Sequence, residues 1–260
     1  MKYFNFLSAT FILLSVGATT LLAQGHEGSA GNSAGHGEVF IPTDVNWADP
    51  VYETSFEHSG NLEDWILEGG QSIRIVDGSL VLSSDSTDRD DHLVAWLRKE
   101  IPADFLLEFT LRPKNRSEGL NIVFFNARGV NGEHVFDPGL QPRDGTFRQY
   151  HSGDLNSYHI SYWAGERDAT HLRKNVGFDL VATGKDLVRS APAEAFQTLR
   201  VYKRGGMIRL MVDDVVALEW EDDGKTHGPV HEHSGWIGLR QMGHTGSTEY
   251  GRVGVYGLEG

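Results

Sequence analysis

The 260-residue chain contains no cysteine. Its absence excludes a disulfide framework, thiol catalysis, cysteine-based zinc or iron–sulfur centres and a lipid-modified N-terminal cysteine. Positive charge is also scarce: 23 Lys and Arg stand against 36 Asp and Glu, for a formal net charge of −13. That balance argues against a nucleic-acid backbone or an anionic membrane surface as partner. An anionic glycan stays open, because a local cluster of Arg, Lys and His can oppose the global sign. Helical periodicity appears nowhere at convincing length. Nor does any run carry the alternating Glu-x-Asp-x-Glu acids that sandwich glucanases use, whose retaining chemistry needs two carboxyl groups ~5–5.5 Å apart. Glu108 and Glu219 are isolated acids on strand-like runs and read as solvent-facing positions. A two-carboxylate hydrolase is therefore disfavoured, although loops could still supply acids.

What is present begins with an apolar run from Phe4 to Leu22 behind Lys2, ending at Ala23 before Gln24. Ser8, Thr10, Ser15 and Gly17 interrupt it, and a polar stretch follows rather than a basic stop-transfer flank, so residues 1–23 are expected to be a cleaved signal peptide. The expected protein is exported, periplasmic or secreted, with no membrane association after cleavage. Residues 24–49 are expected to be a flexible linker, rich in Gly, Ser, Ala and His, with no metal role for His26 or His36. Residues 50–260 are expected to form one domain, a size usual for a large β-sandwich.

Short alternating runs fill that domain. They include SIRIV (72–76), SLVLSS (79–84), HLVAWLRK (92–99), FLLEFTLRP (105–113), LNIVFFNAR (120–128) and SYHISYWA (157–164). LRKNVGFDLVA (172–182), FQTLRVYKR (196–204), MIRLMVDD (207–214), VVALEWE (215–221), GWIGLRQM (235–242) and EYGRVGVYGL (249–258) continue the pattern. Asp77-Gly78, Gly205-Gly206 and Asp213-Asp214 mark tight reversals. Twelve or more such strands point to an all-β, two-sheet antiparallel sandwich of the jelly-roll type.

The segments NIVFFNARGVNG, RQYHSGDLNSYHISYWAGER, HLRKNVGFDLV and GWIGLRQMGHTGSTEYGRVGVYGL resemble the YesU-like family. This is a domain-of-unknown-function family in the concanavalin A-like lectin/glucanase superfamily, and the likeness covers nearly all of residues 50–258. The resemblance implies a concanavalin A-like sandwich and an association with breakdown of uronic-acid-containing polysaccharides. It carries no residue roles, and one fold hosts binders, hydrolases and lyases alike.

Residue roles come instead from alternation along strands. If Tyr158, Ile160 and Tyr162 face the core, His159, Ser161 and Trp163 face outward. Leu172, Val176 and the stem of Lys174 share one face, leaving His171, Arg173 and Asn175 on the other. Asn126 and Arg128 project near a rim, and Ile237 and Leu239 in the core turn Arg240, Met242 and His244 away from it. Arg148, Tyr150, His151 and Tyr158 crowd one loop. Such a set, rich in His, Tyr, Arg and Asn and poor in paired carboxylates, suits β-elimination from a uronic acid. The C5 proton becomes removable once Arg, Asn or a protonated His neutralises the neighbouring carboxylate, and a second group protonates the departing O4.

The nominated acid–base pair is His151 with Tyr158 or His159, with Arg173, Arg128 and Asn126 on the carboxylate. Tyr150, Ser161, Trp163, His171, Lys174, Asn175, Arg240 and His244 complete the expected substrate-binding set. The expected function is a carbon–oxygen lyase on uronic-acid-containing glycans: a polysaccharide lyase if O4 carries a sugar, an oligosaccharide dehydratase if it carries a free hydroxyl. A non-catalytic glycan-binding module and an atypical glycoside hydrolase remain alternatives, since aromatic rings flanked by polar groups also describe a lectin groove. A monomer is expected, with no nucleic-acid partner, no catalytic metal and no cofactor. The acidic stretch 85–91 offers carboxylates of the kind a structural calcium takes, and HGPVHEH (227–233) offers zinc-type ligands; for both a polar loop is the simpler account.

Overall fold

The computed structural model describes residues 37–70, 72–84, 92–115, 119–162, 167–189, 191–192 and 194–260. The apolar N-terminal run, the acidic stretch 85–91 and Trp163 lie outside the described residues.

Two antiparallel sheets face each other. The larger, with eight strands, contains β1 (Val45–Thr54), β3 (Ser72–Val76), β4 (Ser79–Ser84), β6 (Phe105–Pro113), β11 (Gln197–Arg204), β12 (Met207–Val212), β13 (Val215–Glu221) and β15 (Gly246–Leu258). Its order is β13-β12-β11-β6-β15-β4-β3; the first half of β15 pairs with β4 and its second half with β1. The smaller sheet holds β2 (Trp65–Gly69), β5 (Leu93–Leu97), β7 (Asn121–Gly129), β8 (Leu155–Tyr162), β9 (Ala169–Asn175), β10 (Asp179–Lys185) and β14 (Trp236–Gln241). Its order is β10-β9-β8-β7-β14-β5-β2. The expected all-β sandwich is the observed one.

Turn chemistry sets the local hairpins. Asp77 and Gly78, at φ of 48° and 73°, join β3 to β4. Asp213 and Asp214, at 48° and 67°, join β12 to β13. Both central residues are left-handed, as the twist of a two-residue hairpin demands. Three expectations need correction. The run 172–182 is two strands, because Gly177 and Phe178 take φ of 123° and 62° and reverse the chain between β9 and β10. The expected linker to residue 49 overlaps β1. Glu108 is buried, held by Arg200 at 2.7 Å and Arg252 at 3.3 Å on the larger sheet.

The core between the sheets is aromatic and aliphatic. Phe109 packs between Tyr162 and Tyr250 at centroid distances of 5.5 and 5.8 Å, and Leu107, Val123, Ile160, Leu172 and Leu239 are fully buried around them. A second apolar cluster lies on the outer side of the smaller sheet. There Val94, Trp96, Ile122, Phe124 and Trp236 are covered by Val135, Phe136, Leu140, Phe147 and Tyr150. These last five belong to the long β7–β8 connection, which includes the short helix α1 (Arg148–His151) and roofs part of the sheet.

Candidate active site on the smaller sheet

The pairing register writes two rows of side chains across the outer face of the smaller sheet. One runs Glu68, Val94, Arg240, Ile122, Ser161, His171 over β2, β5, β14, β7, β8 and β9. The next runs Ile66, Trp96, Gly238, Phe124, His159, Arg173. Gly238 is required here: a Cβ would stand 2.8 Å from the Trp96 ring lying across it. The β2–β5 end is apolar and roofed. Towards β8 and β9 the same rows become cationic and polar, and His151 of α1 comes down onto them.

The roof is tied at Glu68. Its carboxylate accepts from Trp96 Nε1 at 2.8 Å, Tyr150 Oη at 2.9 Å and Arg143 Nη2 at 2.7 Å. Tyr150 Oη in turn accepts the Gly145 N–H at 3.0 Å, and the Gly145 carbonyl accepts from Arg240 Nη2 at 3.2 Å. Gly145 has φ of +95°, and a Cβ there would lie 2.1 Å from the His92 carbonyl oxygen, so only glycine lets the roof meet the floor at this point. Burial and the Glu68 charge push the Tyr150 phenol far above its ordinary pKa, so Tyr150 is a neutral strut.

Arg240 is fully buried. Its guanidinium lies 4.3 Å from the Phe147 ring and bonds the Met242 sulfur and the Gly145 carbonyl, and its Nε has no partner among the described residues. Removing such an ion from water costs about several kcal/mol, more than bonds to neutral acceptors return at about 1 kcal/mol each. Burial accordingly pushes its pKa down to about 9. His159 is also fully buried. Asn175 Nδ2 donates to its Nδ1 at 2.9 Å and to Ser157 Oγ at 2.9 Å. That amide assignment places the imidazole proton on Nε2, which has no acceptor. Burial, then Arg173 and Arg240, hold His159 well below the ordinary histidine pKa.

Arg173 lies beside His159, with its guanidinium 3.9 Å from the Phe178 ring and Nη1 donating to the Phe178 carbonyl at 2.7 Å. The His151 ring stacks on Phe178 at 4.1 Å, and its Nδ1 is 2.7 Å from Ser152 Oγ. Burial, then Arg240, with Arg173 and Arg148 behind it, lowers the His151 pKa; burial, then Arg173 and Arg167, lowers that of His171. The charges that these histidines feel are thus cationic. Near pH 7 the site holds neutral imidazoles beside permanent cations.

The structure therefore brings together His151, His159, Ser161, His171, Arg173, Asn175 and Arg240. It separates others. Tyr158 is on the core side of β8, where its hydroxyl donates to Asp222 at 2.5 Å and accepts the His231 N–H at 3.1 Å. Lys174 is likewise inside, with Nζ 2.6 Å from Asp222 and 2.9 Å from the Gly228 carbonyl. Neither can touch a ligand on the outer face; period-two alternation alone dictates this. Asn126, at φ of 48° on a β-bulge, spends its amide on the Ala103 and His233 carbonyls. Arg128 is bound to Ser234, Gly132 and Glu100. Both brace the 233–235 loop, and Arg128 is already committed to the Glu100 carboxylate, so neither is placed to hold a uronate. His244 sits in the 3-10 turn Gly243–Thr245 beyond β14. Among the described residues no three His, Asp or Glu side chains converge as metal ligands; within 227–233, His231 turns inward against Tyr158. Phe147 and Phe178, which cap the cluster, follow no strand alternation; the sequence signal for Phe178 is Gly177, which marks the reversal before it.

The uncharacterized protein YesU of Bacillus subtilis (strain 168) is 37% identical over 199 residues, covering 74% of this chain and 89% of its own. A crystal structure of a Bacillus subtilis protein of unknown function with a galectin-like fold superposes with TM-score 0.75 at 32% identity, over 83% of this chain and 100% of that one. A GH16 non-specific endo-β-1,3(4)-glucanase, SCLam, shares the fold at TM-score 0.55 and 11% identity, over 86% and 96% of the two chains. The model of DUF1961, a domain of unknown function, matches residues 49–253, from β1 into β15, and the chain belongs to this YesU-like family of the lectin/glucanase superfamily.

Proposed function

We propose that the protein is a carbohydrate-active lyase that eliminates across C4–C5 of a uronic-acid unit bound on the outer face of the smaller sheet. The observation that carries this reading is the convergence of Arg240, Arg173, His151, His159 and His171 in a chain of net charge −13. The likeness to galectin-like and glucanase sandwiches supports a carbohydrate as the ligand class. The chemistry of the face favours elimination over two-carboxylate hydrolysis, because the carboxylate in its two rows is Glu68, which is committed to the roof.

In this mechanism the guanidinium groups hold and neutralise the uronate carboxylate, which acidifies C5–H. His151, half-buried and neutral near pH 7, takes that proton. The C5–H electron pair forms the C4=C5 double bond, the C4–O4 bond breaks, and the imidazolium returns the proton to O4. One group serves both transfers, since Tyr158 is on the other side of the sheet. Among the described residues the part of this face that reaches solvent is β9–β10, where His171 and Arg173 are half-buried and Leu180 is exposed, a short platform better suited to a chain end than to a polysaccharide crossing the sheet. At a chain end with a free O4 hydroxyl the leaving group is water.

The test is absorbance at about 235 nm, where an unsaturated uronate absorbs, during incubation with uronic-acid oligosaccharides, with masses of the products. A rise with loss of one water and no shortening is expected, and His151→Ala should slow it by about 100-fold or more. Release of reducing ends without a double bond would replace this reading with hydrolysis. Binding without turnover across the panel would replace it with a glycan-binding module.

A further inference from the structure

Two buried donors that share one cover stand out: among the described residues neither Arg240 Nε nor the Nε2–H of His159 has an acceptor, and both side chains are fully buried. The Phe147 ring touches each, 4.3 Å from the Arg240 guanidinium and 5.6 Å from the His159 ring. Phe178 lies at 5.8 Å on His159 and meets Phe147 edge-on at 5.4 Å. A cation and a neutral donor are thus stored beneath two phenyl rings, and among the described residues the Arg240 guanidinium bonds the Met242 sulfur and the Gly145 carbonyl and no carboxylate. Buried polar atoms are nearly always satisfied, and a buried guanidinium is nearly always paired. The phenyl rings are only half-buried and belong to the α1 N-terminus and the β9–β10 turn, so they can be displaced without breaking a sheet.

We propose that Arg240 and His159 form a closed carboxylate seat, with Phe147 and Phe178 as the cap that a ligand's carboxylate displaces. A carboxylate oxygen accepts from Arg240 Nε and its other oxygen from His159 Nε2–H, which supplies the counter-charge that Arg240 lacks. The seat rests on the reading of an anionic sugar on this face, but it concerns binding and requires no turnover.

Binding of D-galacturonate and D-glucuronate to the purified protein, measured by calorimetry, tests the seat; neutral galactose and a sulfated monosaccharide serve as comparisons. Arg240→Met should weaken uronate binding by about thirtyfold or more, the loss expected when one partner of a buried charge pair is truncated. Its thermal midpoint without ligand should hold or rise, because an unpaired buried charge is replaced by an apolar chain of similar volume. Phe147→Ala should tighten uronate binding by removing the cap. The seat is overturned if the wild type takes neither uronate, or if Arg240→Met binds as the wild type does. It is also overturned if Phe147→Ala weakens binding, which remains decisive should Arg240→Met fail to fold. Preference for the sulfated sugar would move the ligand from a carboxylate to a sulfate ester and overturn the carboxylate assignment. Elimination at 235 nm is a separate readout. A seat that binds uronate without product sinks the lyase reading alone, and product formation with unaltered binding by Arg240→Met sinks the seat alone.

Discussion

Tyr158 and His159 are neighbours in the chain and face opposite sides of β8, so their chemistry has nothing in common. Tyr158→Phe removes the donor to Asp222 and the acceptor of the His231 N–H. It should cost about 1–3 kcal/mol in urea unfolding, the range for unsatisfied buried partners, and leave elimination at 235 nm close to the wild-type rate. His151 predicts the opposite division. Because it must be neutral to accept the C5 proton and its pKa is lowered, kcat/KM should stay level from neutral pH down past the ordinary histidine range and fall only in more acidic solution. His231 links pH to folding instead. Burial, then Lys174, depresses its pKa to about 4 against an ordinary value of 6.5, so the unfolded chain binds this proton first as pH falls. Its contribution is fully present above pH 6.5 and is lost as pH drops through the window to about 4. The loss between pH 7 and 4.5 is on the order of 2–3 kcal/mol. Urea midpoints at the two pH values should differ less in His231→Gln than in the wild type.

At the scale of elements, two ties deserve separate tests. The roof between β7 and β8 hangs on Glu68, where three side chains donate to one carboxylate. Glu68→Ala should leave the sheets folded but raise amide exchange across residues 130–154 by about 10–100-fold, as expected for loss of local rather than global stability. Uniform acceleration throughout the sandwich would mean that the roof and the sheets unfold as one unit. The second tie joins β9 to the chain just after β13: Lys174 and Asp222 are both buried and 2.6 Å apart. Burial works to raise the Asp222 pKa, but hydrogen bonds from Lys174 and Tyr158 outweigh it and hold the carboxyl below its ordinary value. Lys174→Met should cost about 3–5 kcal/mol by stranding that carboxylate. Adding Asp222→Leu to Lys174→Met should recover part of the loss, and a strictly additive double variant would contradict the pairing.

The whole molecule adds a long-range effect to the local one. A net charge of −13 repels an anionic sugar at distances where the buried cations are still hidden. Screening acts on the long-range part first, so association of an oligouronate should quicken from about 0.01 to 0.15 M salt, the range over which the Debye length falls from about 30 to 8 Å. A rate that slows instead would mean that attraction by the Arg and His cluster dominates even at a distance.

Alternation in the sequence determined most of the strands, the reversals at Asp77-Gly78 and Asp213-Asp214, and the face on which each side chain of β8 stands, because these depend on neighbours only a few residues apart. The same alternation put Tyr158 in the core. Its nomination for chemistry rested on crowding in the loop, which carries no information about faces. Only the tertiary structure decided that Arg240 of β14 lies across β7 from Ser161 and near His159, that α1 sets His151 over them, and that Phe147 and Phe178 close the space above. Period two fixes which side a residue faces but not which distant strand lies beside it. That second choice belongs to non-local pairing and to a roof whose apolar residues follow no regular period.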